Sequence, residues 1–173
     1  TALREPASMG PVVIATTPAF ASRWLIPRLD ALSRACDNWR FAVQASEQVV
    51  DLQAGEAALA IRYAQAPGMS RVCRALIRDR YFPVAHPRLL EAGPEIKNPL
   101  DLLRYPLIHF QWKRSGPMAP TWSRWVEQVW KEDSKFAKPG VAEGLELSEE
   151  THAIEAAIEC QGVALVSDFM VDR

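Results

Sequence analysis

Histidine and cysteine are scarce in this chain: three of each in 173 residues. His86, His109 and His152 lie far apart and no cysteine pair has ligand spacing, so no metal motif is present. Cys36, Cys73 and Cys160 form an odd set at wide, irregular intervals. That argues against a disulfide framework, fits a reducing cytosol, and leaves each thiol as a small core residue beside apolar neighbours. A Gly-rich phosphate loop and a Gly-x-Ser-x-Gly elbow are both missing, and no local signature marks a Ser–His or Cys–His dyad, so an enzyme has little support. An excess of one charge is missing too. Twenty Lys+Arg against 21 Asp+Glu give a formal net charge of -1. Without a basic stripe to neutralise phosphates, these residues are not expected to grip nucleic acid themselves. No apolar run approaches a membrane span, and residues 1–10 are no signal peptide, because Arg4 and Glu5 are followed by no apolar core. No repeat recurs at solenoid spacing.

What is present is an ordinary globular composition, 49% hydrophobic and 24% charged, enough for one large domain or two small lobes. The chain does not begin with Met and reads as part of a longer protein, with residues 1–10 a linker remnant. Its organising stretch follows. Val12, Val13, Ile14 and Ala15 form a short β-branched run, the pattern of a strand covered on both faces. Thr17 suits an N-cap and Pro18 the first helical turn. Phe20, Trp24, Leu25, Leu29, Leu32 and Cys36 then recur at helical spacing, and Pro27 should kink the helix. A second strand is expected over residues 41–43, and a short helix over 47–54 with Val49, Val50 and Leu52 inward and Gly55 at its end. A third strand, over 57–61, is small and apolar throughout, as a central parallel strand should be. Strand, helix, strand, helix, strand in so little chain calls for βαβ units and a parallel sheet.

The rhythm then breaks at Pro67-Gly68. Residues 72–77 and 81–85 are two extended runs, either one long bent strand or a hairpin, with Arg78-Asp79-Arg80 between them and His86-Pro87 as the stop. A short helix is expected at 98–103, a strand at 107–110, a helix capped by Thr121 with Trp122, Trp125, Val126 and Val129 on one face, and a strand starting with Leu145 and Leu147. The next helix starts at Ser148, with Glu149 and Glu150 as a solvated acidic first turn suited to the helix dipole. Its buried face is Ala153, Ile154, Ala157 and Ile158, and Gly162 caps it. A last strand fills 163–166, and Ser167-Asp168 open another helix. The expected architecture is α/β with two lobes: 11–84, and 85–167, with 168–173 starting a return to the first.

Polar groups fall at the ends of these strands. Thr16 and Thr17 follow the first, Ser46 and Glu47 the second, Arg62 and Tyr63 the third. In the second lobe His109, Gln111 and Trp112 follow one strand, residues 148–151 open a helix, and Ser167 follows another strand. Each alone reads equally well as a satisfied cap or turn. Together they face the carboxyl edges of parallel strands, where open α/β sheets bind ligands, and two such edges meeting would enclose a small polar and aromatic cleft. Arg62 suits a carboxylate or a structural ion pair.

One sequence, Thr17-Pro18-Ala19-Phe20-Ala21-Ser22-Arg23-Trp24-Leu25-Ile26-Pro27-Arg28-Leu29, resembles the opening of the effector-binding domain of LysR-type transcriptional regulators, in the glycine-cleavage-activator-like branch. So do Ala60-Ile61-Arg62-Tyr63, Phe82-Pro83-Val84, Leu107-Ile108-His109 and Gln161-Gly162-Val163-Ala164-Leu165. The resemblance implies a two-lobed, periplasmic-binding-protein-like (type 2) fold with an effector cleft between the lobes, and no cofactor or membrane contact. It implies a cytoplasmic bacterial regulator, a homodimer or tetramer, that touches DNA only through an N-terminal winged helix-turn-helix domain. Dimer contacts would join residues 20–36 of one subunit to 151–160 of the other.

Carried over residue by residue, the family's pocket falls on Thr17, Pro18 and Ala19, on Ser46 and Glu47, on Arg62 and Tyr63, and on Glu149, Glu150 and Thr151. Relatives often place a small hydroxyl or an Asp where Glu149 and Glu150 stand, so an anionic effector group is not expected at that side. The family also continues past Ser167-Asp168 with a helix and strand returning to the first lobe, so the expected fold is truncated at its C-terminal end. A solute-binding protein of the same fold is the alternative, disfavoured by the three cysteines. Enzymes sharing the fold would show an active-site motif of their own.

Overall fold

In the computed structural model the described residues are 10–36, 39–64, 73–111, 119–130 and 137–171. The chain divides into two compact units, Thr1–Gly68 and Met69–Arg173.

The first unit is built on β1 (Val12–Thr16), which pairs in parallel with β2 (Phe41–Ala45) on one side and β3 (Leu59–Ala60) on the other. The expected parallel sheet is there, but its centre is β1. The strand read as central, β3, is an edge strand only two residues long, and its Leu59 is exposed because nothing pairs beyond it among the described residues.

Beyond β1 the chain turns into α1 (Pro18–Phe20), a π-turn at Ala21–Leu25, a 3-10 turn at Ile26–Arg28, and α2 (Leu29–Ala35). Thr17 caps it, accepting from the Phe20 amide at 3.3 Å. The expected break at Pro27 takes this form. A proline in a regular helix clashes with the carbonyl four residues back and leaves it without a donor. Here the backbone slips register first: the Ile26 amide reaches Ala21 rather than Ser22, a π-type bond. The Trp24 carbonyl is taken by the Arg28 guanidinium at 3.1 Å, which also stacks over the Trp24 ring.

Residues 47–54 are not a helix. Asp51 Oδ1 accepts from the amides of Gln53 and Ala54, at 2.8 and 3.1 Å, and Glu56 Oε2 accepts from Asp51 at 2.8 Å. These side chain–backbone bonds compete with helical pairing. Val49 and Leu52, read as inward-facing, are exposed. Gly55 closes the turn at φ 78, a left-handed conformation that favours glycine.

The second unit holds a four-stranded sheet in the order β4-β7-β5-β6, with β4 (Tyr81–Val84), β5 (Leu107–Phe110), β6 (Leu145–Leu147) and β7 (Val163–Ser167). β5, β6 and β7 are parallel, and β4 runs antiparallel to β7. The pattern places residues 81–84 at the end of the first lobe. The structure instead pairs them with the last strand, Tyr81 opposite Ser167, because a run leading straight into the second unit completes the exposed side of β7. All five residues of β7 are buried. Residues 73–80 form no strand, and Leu76 and Ile77 are exposed.

α3 (Pro87–Ala92) was not expected. His86 caps it, its Nδ1 accepting from the Arg88 amide at 3.1 Å, so His86-Pro87 ends the strand by starting a helix. The 3-10 turn at Pro99–Arg104 carries a capping box between Asn98 and Asp101. α4 (Trp122–Val129) buries Trp122 and Val126. Trp122 packs with Tyr105, Leu107, Val163 and Leu165, and its Nε1 donates to the Ile108 carbonyl at 3.0 Å.

α5 (Glu150–Ile158) packs on β5 and β7, and α6 (Asp168–Val171) follows β7. Two readings of α5 change. Ile158 is exposed rather than buried. The helix is closed by Cys160, not Gly162: Cys160 lies at φ 59, its amide reaches Ala157 and the Gln161 amide reaches Ala156, a Schellman closure in which glycine is usual. Gly162 is required for proximity instead. A β-carbon there would meet the Pro106 carbonyl oxygen at 2.6 Å.

Candidate functional site

The candidate residues sort onto the carboxyl edge of each parallel sheet. In the first unit Thr16 pairs with Ala45 and Ala15 with Ala60, so Thr17, Ser46 and Arg62 emerge at the same edge. Pro18 and Ala19 form the helix start, Ala19 buried and Pro18 half-buried. The Ser46 amide bonds the Thr16 carbonyl at 2.9 Å, and the Ser46 hydroxyl accepts from the Gln48 amide at 3.1 Å. Glu47 and Tyr63 are exposed. Arg62 is engaged with backbone. Its Nη1 and Nη2 donate to the backbone carbonyls of Ser46 and Gln48, each at 2.6 Å. Thr16 is fully buried, and its hydroxyl has no hydrogen-bond partner among the described residues.

In the second unit Phe110 pairs with Leu147, and the Gln111 amide bonds the Leu147 carbonyl at 2.9 Å, so the start of α5 lies beside the end of β5. Glu150 is only 7% exposed, which overturns its reading as a solvated first turn. As the first residue of a helix that packs on β5 and β7, it is drawn over the sheet rather than into solvent. Thr151, next to it, is half-buried. His109 Nε2 lies 3.1 Å from the Ala142 carbonyl, which ties the ring to the chain before β6. Trp112 lies outside the described residues.

Ser167 is fully buried, and its hydroxyl donates to Asp79 Oδ1. Asp79 is the residue that sequence reasoning missed. It accepts from the side chains of Ser167 and Tyr81, while its Oδ2 is shielded from water with no hydrogen-bond partner among the described residues. Burial pushes its carboxyl above the ordinary aspartate range, against the pull of those hydrogen bonds, and the nearby Asp168 pushes the same way. Beside it Arg80 pairs with Asp168 at 2.9 Å, and the Asp168 amide bonds the Arg80 carbonyl. The available signal was an acid set between two arginines, Arg78-Asp79-Arg80, where only a spacer was read.

An open groove of about 560 Å³ lined by Pro83, Ile96, Pro99, Leu102, Trp125 and Val129 lies elsewhere in this unit and shares no residue with that edge. Among the described residues no group of three His, Cys, Asp or Glu side chains could hold a metal, and no helix is long and apolar enough to cross a membrane.

Two α/β units, each gathering helix starts and polar turns at the carboxyl ends of parallel strands, define a ligand-binding class of domain. The LysR substrate binding domain model matches residues 7–173, and the chain belongs to that family, as the motif around Trp24 led one to expect. It is 27% identical over 168 residues to the glycine cleavage system transcriptional activator of Escherichia coli (strain K12), covering 97% of this chain and 52% of the relative. It is 28% identical over 171 residues to the HTH-type transcriptional regulator TrpI of Pseudomonas aeruginosa, covering 98% and 55%. The chain thus spans about half the length of the curated relatives it matches.

Among solved structures it is similar to the effector domain of the transcriptional regulator AmpR of Pseudomonas aeruginosa (TM-score 0.69, 19% identity, 93% of this chain and 72% of that one). It is equally similar to the regulatory domain of CrgA, a LysR-type transcriptional regulator from Neisseria meningitidis (TM-score 0.69, 16% identity, 94% and 75%). The fold is therefore that of LysR effector-binding domains, the periplasmic-binding-protein-like class expected from the sequence.

Proposed function

We propose that this chain is the effector-sensing module of a LysR-type transcriptional regulator, without catalytic activity of its own. The observation that carries it is the family match across residues 7–173, on a chain whose curated relatives are transcriptional regulators. The effector is a small metabolite. The candidate contacts are Thr17, Pro18, Ala19, Ser46, Glu47 and Tyr63 at the strand-tip edge of the first unit, and Glu150 and Thr151 at the strand-tip edge of the second. Glu149 and Glu150 at the start of α5 disfavour an anionic effector group beside them, since like charges repel most where water is displaced. DNA contact is made by a helix-turn-helix domain N-terminal to this chain, in a cytoplasmic homodimer or tetramer, and effector binding shifts that assembly between states.

The test is a thermal-shift screen of the full-length protein against amino acids, aromatic acids and other small metabolites. A ligand that binds only the native state raises the melting point, by about 2.7 kcal/mol of stability at a hundredfold excess over Kd. A saturable rise that Ser46→Ala diminishes supports the reading. A secretion signal encoded upstream, in place of a helix-turn-helix, refutes it.

A further inference from the structure

We infer that Arg62 is a positioning residue of this site: it acts on the effector through the 46–48 turn, which it straps across the end of β1. The inference rests on the effector-binding reading above and names how one side of that site is held. In the order β2-β1-β3, Arg62 follows the strand on one side of β1, and Ser46 and Gln48 follow the strand on the other. Two strand spacings separate them, about 10 Å. The guanidinium crosses that distance and ends on two carbonyls of the same turn, Nη1 on Ser46 and Nη2 on Gln48, each at 2.6 Å. The strap therefore passes the tip of β1, where Thr17 caps the helix start.

Ser46 is already tied to the end of β1 by its amide on the Thr16 carbonyl at 2.9 Å, and the Arg62 fork extends that hold to Gln48. The turn replaces a helix, its Gln48 amide is held by the neighbouring Ser46 hydroxyl, and Glu47 and Val49 are exposed. β3 gives the strap a fixed base, since the Ile61 amide bonds the Ala15 carbonyl at 2.8 Å. A planar fork with two donors at set spacing can hold two carbonyls at once, which a lysine ammonium at the end of a flexible stem does not reproduce. Arg62 thereby sets where the Ser46 hydroxyl and the Glu47 side chain stand, although its own bonds run to backbone.

Hydrogen exchange of the full-length protein, followed by mass spectrometry, tests this without any ligand, so its outcome is independent of the compound screen. Wild type is compared with Arg62→Ala, Arg62→Lys and, as a control, Arg28→Ala, which removes a guanidinium–carbonyl bond elsewhere in the first unit. Expected is exchange about tenfold faster over residues 46–56 in both Arg62 variants, with β1, β2 and the second unit unchanged and Arg28→Ala like wild type over that segment. Unchanged exchange over 46–56 overturns the inference. So does wild-type behaviour of Arg62→Lys, which would make the two-carbonyl fork irrelevant. Acceleration of the whole first unit overturns it in favour of a general stabilising role.

Discussion

The turn between α5 and β7 sets two residues against each other. Gly162 is expected from sequence to close the helix, yet Cys160 carries the left-handed conformation at φ 59, and Gly162 is pressed against Pro106. An alanine at 162 would place its β-carbon 2.6 Å from the Pro106 oxygen and 3.1 Å from Ile108 Cγ1. The first obstacle is backbone, and that same oxygen accepts the Val163 amide at 2.9 Å where β7 joins β5. Relieving the overlap must push β7 away from β5. Overpacking of this kind costs about 1–3 kcal/mol, and weakening the Val163 bond adds about 1 kcal/mol.

Gly162→Ala should therefore lose about 2–4 kcal/mol, a large share of a typical domain's stability. Cys160→Gly should do the opposite or nothing: glycine relieves a left-handed conformation worth roughly 1–2 kcal/mol but gives part of it back in unfolded-state entropy. Urea unfolding of both variants, followed by far-UV circular dichroism, checks the pair. Were Gly162 only a helix cap, Gly162→Ala would cost about 1 kcal/mol. A Gly162→Ala loss under about 1 kcal/mol refutes the steric argument.

Two aspartates give opposite pH dependences. Asp79, raised by burial, contributes stability in full below the ordinary aspartate value of 3.8 and loses it as pH rises through its higher native value. Asp79→Asn, always neutral, should gain on wild type as pH rises from 4 toward 7 in melts across that range, and parallel curves would refute the burial. Asp101, held low by the amides of Lys97 and Asn98 at 2.8 and 3.0 Å, contributes above 3.8 and loses it as pH falls through its depressed native value, so Asp101→Asn should narrow its deficit on acidification. Trp122→Phe should cost roughly 1–3 kcal/mol for the lost bond to Ile108 and the smaller ring, and Trp122→Ala roughly 3–5 kcal/mol, in urea titrations; a Trp122→Phe cost near zero would deny the Nε1–H any role. Ser46→Ala should leave the unliganded melting point nearly unchanged while shrinking the rise produced by whichever compound the screen finds, and an unaltered rise removes Ser46 from the site.

Local chemistry was legible where neighbours in sequence are neighbours in space. Thr17 and Pro18 mark the helix start, Thr121 marks α4, and Asn98 with Asp101 marks the turn after α3. Even Pro27 was legible as a disturbance, though not as the π-turn that resolves it. What failed needed distant partners. Val49 and Leu52 have helical spacing, but Asp51 and Glu56 bind the backbone in another shape. β3 looks like a central strand because its residues are small, and only pairing decides that it is an edge.

The same division runs through the site. That Thr17, Ser46 and Arg62 share an edge follows from parallel pairing, which the alternation of strands and turns already demands. What Arg62 does there does not follow. An arginine beside a suspected ligand invites a carboxylate, and a residue list cannot show that two carbonyls sixteen and fourteen positions away reach it first. Asp79 is the complementary case, a carboxyl whose partner Ser167 lies eighty-eight positions off and whose burial raises its affinity for a proton. In both, the side chain with the most conspicuous charge is turned toward the protein's own frame.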